Sequence, residues 1–368
     1  MASGDIRVLH VLDVLTPDSG VAQVVMNMVA GIPQIRQDIA IYGRCDANLE
    51  REVVSRGGAV HKLPDVTEVF GARFGRAFSN LLQTRTYTTI HGHLRNSAFI
   101  YLREATRKGI PHRIIHAHST ASADTKLKRL RNNVLSLGIP RWANEYIAVS
   151  DAAGKAAFGS SRPFTVIHNG IDTERFRYNP DVRKQTRQEL GLTDDEICVG
   201  HVGRLVELKN HGFTLAVFNE IRKQARCKLL LVGDGHLGSS LQAQAEHLGL
   251  SDSVRFMGAR NDVDRLYQAF DVFLLPSLSE GFPLSIVEAQ CAGLGCIVSD
   301  NVSADVICSN RIWHLPLGNV EEWLDAVLDM ERLPRVGGSD DVIAAGLDIE
   351  TICRKIQKIY ETPIGDIL

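Results

Sequence analysis

The chain is expected to fold as an α/β protein of two similar doubly wound domains. Three observations predict this. Short apolar runs suited to buried strands alternate with helix-length segments. The alternation restarts after Pro180. The length of 368 residues exceeds one ordinary domain and suits two. Taking the elements in order, residues 6–12 (IRVLHVL) read as a first strand, and the polar turn 16–20 leads into a helix over 21–30. Strand-like 39–42, helical 49–56 and strand-like 59–63 follow. Then come a helix near 74–83, a strand at 88–91, a helix at 97–108 and strands at 113–116 and 146–149. The second round runs through a strand at 197–202, a helix at 212–224, a strand at 228–232 and a helix at 239–248, and 254–257, 263–270 and 272–276 continue it. Repeated β-α-β units imply mostly parallel sheets covered on both faces, with ligands at the carboxyl ends of strands near a switch in strand order. The expected domains are 1–177 and 178–348, facing each other across a cleft. Residues 349–360 read as an amphipathic helix, and the segment 349–368 is expected to pack back toward the first domain.

Hydrophobic content of 44% and charged content of 23% describe a globular protein. No run of eighteen apolar residues is present, so no membrane span is expected, and the opening MASGDIR lacks an apolar signal core. The seven cysteines are odd in number and irregular in spacing, without Cys-x-x-Cys, which suits reduced cytoplasmic thiols. The net charge of −2 hides an asymmetry. Residues 1–170 hold 21 Lys and Arg against 13 Asp and Glu, and the remainder holds 20 against 30. A basic first half and an acidic second half suggest different partners for each.

The richest stretch is EGFPLSIVE at 280–288. Two carboxylates, Glu280 and Glu288, flank the Gly281-Phe282-Pro283 turn between a strand and a helix. Pro283 suits the first helical position. The N–H groups of Leu284 and Ser285 then point out of a helix N-terminus, which binds phosphate. One loop so offers two hydroxyl-binding carboxylates and a phosphate seat, the combination a nucleotide sugar needs. GRLVELKN at 203–210 follows the strand 198–202 and puts Gly203, Arg204 and Lys209 at the same edge, where a fork of donors and a point charge suit a diphosphate. Gly233-Asp234-Gly235 reads either as a tight turn or as a close backbone approach to a ligand. Asp262-Val263-Asp264 reads as an acidic helix start rather than a metal motif. Two His-x-His pairs, His91/His93 and His116/His118, each close a strand. With the side chains of each pair taken to face opposite ways, neither is expected to chelate, and no metal is assigned; His118 is placed at the cleft. Gly20, in the first strand-to-helix turn, allows backbone near a phosphate. The run Lys126, Lys128, Arg129, Arg131 reads either as a solvated helix face or as a contact for anionic lipid or a lipid diphosphate, and the basic first half favours the second.

These residues resemble the retaining glycosyltransferases of family four, with the GT-B fold, and within them the branch of bacterial exopolysaccharide and capsule clusters. The likeness runs from Val8 to about Trp323. Its markers are HAH at 116–118, VIHNGIDTERF at 166–176, HVGRLVELKNH at 201–211, LLLVGDG at 229–235 and DVFLLPSLSEGFPLSIVEAQCAG at 271–293. The resemblance implies roles residue by residue. Arg204 and Lys209 would hold the donor diphosphate, Glu288 the ribose hydroxyls and Glu280 the transferred sugar. The amides of Leu284 and Ser285 would seat the distal phosphate, His118 would lie beside sugar and acceptor, and the backbone near Ala259 and Arg260 would edge the base. Two departures stand out: Ser19-Gly20-Val21-Ala22 replaces the usual Gly-Gly-x-Glu, and Gly295 follows Leu294 where proline is usual.

The expected activity is transfer of a sugar, with retention, from a nucleotide diphosphate to an acceptor hydroxyl. UDP is the expected nucleotide from family habit, and a lipid-linked glycan the expected acceptor. The nucleotide sugar is a substrate, no cofactor or metal is implied, and no nucleic-acid partner is expected. The expected location is the cytoplasm, peripheral on the inner face of the membrane. The alternatives are a nucleotide-sugar epimerase, a glycogen-type synthase or an inactive partner protein of the same fold.

Overall fold

A computed structural model describes residues 6–66, 71–94, 97–118 and 139–362. The chain forms two compact units, one of residues up to Asn169 together with those from Ile349, the other of Gly170–Asp348. In the first, β1 (Arg7–Leu12), β2 (Arg36–Ile41), β3 (Val60–Lys62), β4 (Thr89–Gly92), β5 (His112–Ala117), β6 (Glu145–Ala148) and β7 (Thr165–Val166) form one sheet in the order β3-β2-β1-β4-β5-β6-β7. Every pair is parallel. Strands covered on both faces must be apolar throughout, and β1 is buried at every position after Arg7. The strand order reverses between β1 and β4, which puts the loops after these strands beside the switch point.

The helix Ile349–Glu361 belongs to this first unit. Its buried residues Ile352, Cys353, Ile356 and Tyr360 recur at helical spacing and join the cluster that holds Val24 and Met28 of the helix Gly20–Gly31. Gly31 lets the two helices approach: a Cβ there would lie 2.4 Å from Cys353 Sγ.

In the second unit, β8 (Ile197–Val202), β9 (Cys227–Val232), β10 (Val254–Gly258), β11 (Val272–Leu275), β12 (Gly295–Ser299) and β13 (Ile312–Leu315) form a parallel sheet in the order β10-β9-β8-β11-β12-β13. The switch lies between β8 and β11, so the loop carrying Arg204 and Lys209 adjoins the loop carrying Glu280. The division between units falls at Asn169/Gly170, before the expected boundary at 177. The Ile171 N–H donates to Leu347 O at 2.9 Å and the Cys291 thiol to Thr173 O, which ties this segment to the second unit.

The helices Asp151–Phe158, Pro180–Glu189 and Val320–Glu331 and strands β7, β12 and β13 were not anticipated. β12 escaped because only Ala292, Gly293 and Leu294 separate it from the preceding helix, so no polar break marks its start. Pro283 is the N-cap of the helix Leu284–Cys291 rather than its first residue. No helix among the described residues is long and apolar enough to cross a membrane, and all seven cysteines are unbridged.

Candidate active site

Four loops meet at the carboxyl edge of the second sheet. The loop after β8 is held from beneath. Gly203 N–H donates to Val232 O, Leu205 N–H to Asp234 O, and Leu237 N–H to Leu205 O, at 2.9, 2.9 and 3.1 Å. Gly233 makes this stitching possible: it has φ +135°, and a Cβ there would lie 2.0 Å from the Gly203 carbonyl oxygen. So pinned, the loop presents Arg204 and Lys209 differently. Arg204 is exposed and makes no ion pair among the described residues. Lys209 is largely buried and its Nζ lies 2.6 Å from Glu280 Oε1. Glu280 Oε1 also accepts from the Ser277 hydroxyl at 2.8 Å, and Leu278 N–H donates to Leu208 O, joining the loops after β8 and β11. The two predicted groups, a phosphate cation and a sugar carboxylate, thus hold one another.

Beyond Glu280 the buried ring of Phe282 leads into the helix Leu284–Cys291. That helix has no side-chain cap, so its first-turn N–H groups at Leu284 and Ser285 remain available to an anion. Gly281 sits in open space. One turn on, Glu288 is half-buried, and its Oε2 accepts from the Tyr267 hydroxyl at 2.9 Å. Burial pushes the Glu288 carboxyl up to about 7, while the Tyr267 bond and the Arg175 charge pull it back down. The folded protein therefore holds this proton more tightly than the unfolded chain. The resulting stabilisation is complete below a pH of about 4.5 and is lost as pH rises through about 7. Glu288→Gln removes that loss. The variant's melting temperature relative to wild type is expected to rise between pH 5 and pH 8; a constant difference would contradict the assignment.

At the end of β10 the Arg260 guanidinium is bidentate to Asp262, at 2.8 and 2.7 Å, which leaves the backbone to serve any base nearby. Asp262 caps the helix Val263–Ala269 by position, and Asp264 in its first turn pairs with Arg175 at 2.8 Å. Each carboxylate of the Asp-x-Asp is thus engaged by an arginine. Tyr267, Ser277 and Arg175 are not singled out by the sequence; Tyr267 and Arg175 share no motif with their partners, whereas Ser277 stands three residues before Glu280 in the same stretch.

The remaining predicted residues belong to the first unit, except that Lys126, Lys128, Arg129 and Arg131 fall outside the described residues. Gly20 opens its helix behind the Ser19 N-cap, with open space where a Cβ would stand. His118 ends a cluster of His10, His91, His93, His116 and His118 at the carboxyl ends of β1, β4 and β5. The expectation that each His-x-His pair diverges is corrected here. Side chains two residues apart share a strand face, and the rings stack with centroids 4.3 Å apart for His91/His93 and 4.2 Å for His116/His118. The triplets His10/His91/His93 and His93/His116/His118 each bring three ring nitrogens within 4.8 Å of one another, a spacing that can hold a metal. Burial drives the imidazoles down, His10 and His118 to about 4 and His91, His93 and His116 well below their usual value, so all five are neutral at pH 7.

Two doubly wound parallel-sheet units, one carrying cations, an uncapped helix N-terminus and two carboxylates at its switch point, are the arrangement expected for a nucleotide-sugar site. Residues 182–340 match the family described as Glycosyl transferases group 1, and residues 19–175 match Glycosyltransferase Family 4. The chain is 30% identical over 316 residues to EpsF of Bacillus subtilis, covering 83% of this chain and 82% of that protein. It is 28% identical over 262 residues, 67% of each chain, to the UDP-Gal:alpha-D-GlcNAc-diphosphoundecaprenol alpha-1,3-galactosyltransferase of Escherichia coli. In fold it is similar to Anabaena HepE, crystallised in complex with UDP and glucose, with a TM-score of 0.79 over 96% of this chain and 99% of that one at 20% identity. The chain belongs to the family-four glycosyltransferases of the GT-B fold.

Proposed function

We propose that this enzyme transfers a sugar, with retention, from a UDP-sugar to a hydroxyl of a lipid-linked glycan in surface polysaccharide synthesis. The observation that carries the reading is the assembly, on one sheet edge, of Arg204, the Lys209–Glu280 pair, the uncapped helix at Leu284 and the Glu288–Tyr267 pair. In this reading the diphosphate takes Lys209 from Glu280. That exchange frees Glu280, still oriented by Ser277, to accept from sugar hydroxyls. Arg204 and the first-turn amides receive the charge that develops on the leaving diphosphate, stabilisation of the kind that dominates such steps. The glycosyl centre becomes oxocarbenium-like. The acceptor attacks from the face the diphosphate leaves, and the leaving phosphate oxygen takes its proton. Glu288 accepts from the ribose hydroxyls as a carboxylate. The names of the Escherichia coli relative and of the HepE complex support UDP and a diphospholipid acceptor.

The test is calorimetry or thermal shift with UDP. At a hundred times its dissociation constant UDP should stabilise the protein by about 2.7 kcal/mol. The same shift is expected in excess EDTA, because the cations at the site are side chains. A shift abolished by EDTA and restored by Mg²⁺ or Mn²⁺ would show the diphosphate assignment to be incomplete.

The acceptor side carries its own expectation. Lys126, Lys128, Arg129 and Arg131 should dock on anionic lipid, at about 1 kcal/mol per basic residue near the surface. Co-sedimentation with anionic vesicles should exceed that with neutral ones, fall as salt rises and drop when all four are changed to Glu. Equal binding to both vesicle types would favour a soluble acceptor.

A further inference from the structure

The histidines at the carboxyl edge of the first sheet carry a proton order dictated by the groups around them. It starts at Gln37, a buried side chain on β2. Its amide nitrogen donates to the carbonyls of Met28 and Ile32 at 3.0 and 3.2 Å. Carbonyls only accept, so the amide oxygen must face His10. His10 Nε2 lies 3.0 Å from that oxygen and therefore bears hydrogen. A neutral imidazole has one such hydrogen, which leaves His10 Nδ1 bare. His93 Nε2, 3.0 Å away, must donate to it. By the same count His93 Nδ1 is bare, and His118 Nε2 donates to it at 2.8 Å. The relay ends on His118 Nδ1, a buried lone pair with no partner among the described residues.

A second relay starts at Tyr360. Among the described residues its hydroxyl bonds only to His91 Nδ1, at 2.7 Å, and donation satisfies the otherwise buried O–H. His91 then bears hydrogen on Nε2, which faces His116 Nδ1 at 3.3 Å. His116 is left with hydrogen on Nε2, buried and without a partner among the described residues. Buried polar atoms without partners call for an explanation, and these two sit on stacked neighbouring rings 4.2 Å apart. One is a lone pair and the other a donor, and a hydroxyl group needs both.

We propose that Gln37 and Tyr360 fix the tautomers of His118 and His116 through the two relays, so that the end of β5 presents a bare Nδ1 and a protonated Nε2 as acceptor and donor for one substrate hydroxyl. Gln37, His10, His93, His91 and Tyr360 are positioning residues. The identity of the hydroxyl rests on the proposed transfer; the proton order does not. Burial keeps all five imidazoles neutral, which the relays require. Within this order only His118 Nδ1 has a free lone pair, so a metal on either histidine triplet would have to displace relay protons.

The test is a long-range proton–nitrogen correlation spectrum of the full chain labelled with ¹⁵N-histidine at pH 7, assigned with His118→Gln and His116→Gln. Both residues should appear as the tautomer protonated on Nε2. In His10→Leu, which removes His93's acceptor, the His118 signals should move to a mixture of tautomers. In His10→Gln, which keeps an amide oxygen toward His93, they should return. Tyr360→Phe should mix the tautomers of His91 and His116 and leave that of His118 unchanged. His118 protonated on Nδ1 in the wild type, or tautomers unmoved by His10→Leu and Tyr360→Phe, would overturn the relay whatever the enzyme's activity. Adding UDP, then UDP-glucose, UDP-galactose or UDP-N-acetylglucosamine, then an N-acetylglucosaminyl diphospholipid locates the hydroxyl. A His118 Nδ1 shift with a nucleotide sugar beyond that with UDP assigns the donor, and one with the diphospholipid assigns the acceptor. No shift with any of them would overturn the hydroxyl receptor while leaving UDP binding to be judged separately.

Discussion

Replacing Lys209 or Arg204 by alanine is expected to lower turnover by about a hundredfold or more, the usual consequence of losing a contact that strengthens as charge develops on a leaving group. The fold should survive both changes. Arg204 is exposed and holds no ion-pair partner among the described residues, so its removal costs the free protein nothing it uses. Lys209 pairs with Glu280, and that carboxylate keeps the Ser277 hydroxyl after the lysine is gone. The backbone of the loop is held independently, through Gly203 and Leu205 to the loop after β9. The two variants should nevertheless differ. Lys209→Ala leaves a largely buried carboxylate without its cation, a costly state, so its melting temperature should fall below that of Arg204→Ala. Near-normal turnover in both variants would remove the diphosphate from this loop.

Gly233→Ala is expected to damage stability and turnover together. A Cβ at this position would stand 2.0 Å from the Gly203 carbonyl oxygen and 2.8 Å from its carbon. Neither atom can give way as the end of a flexible side chain could, and φ of +135° is a conformation that only glycine adopts readily. Backbone strain of this kind with overpacking costs on the order of 3 kcal/mol. Relief comes by pushing the Gly203–Lys209 segment off its seat, and a shift of about 1 Å in a positioning element can cost roughly a hundredfold in rate. Gly281→Ala is the control. Open space surrounds that position, so unfolding should be unchanged within error. Wild-type stability in Gly233→Ala, measured by denaturant unfolding, would contradict the geometry of the loop.

What could be read from the sequence was what lies close along the chain. EGFPLSIVE places two carboxylates and a helix start within nine residues, and GRLVELKN places two cations on one turn after a strand; the structure sets both at adjacent loops because β8 and β11 are neighbours in the sheet. Tyr267 could not be read, because it reaches Glu288 from another helix 21 residues away. The histidine relays were hidden for the same reason. His10 and His91 come together through the register of β1 on β4, and Gln37 and Tyr360 arrive from β2 and from the far end of the chain. The His-x-His pairs add to the cluster because residues two apart on a strand point the same way. Charge asymmetry belongs to neither case: it is a sum over residues and says nothing of where they stand.

The central claim is cleavage of a UDP-sugar with retention at its anomeric carbon. It is tested most directly by proton NMR of the enzyme with UDP-glucose, UDP-galactose or UDP-N-acetylglucosamine, followed with a diphospholipid acceptor and without one in EDTA, before the free sugar can mutarotate. The expected result is release of UDP from one of the three donors, with the sugar appearing first as the α anomer or in an α linkage. First appearance of the β anomer, or no UDP release from any donor by folded protein, would contradict the account.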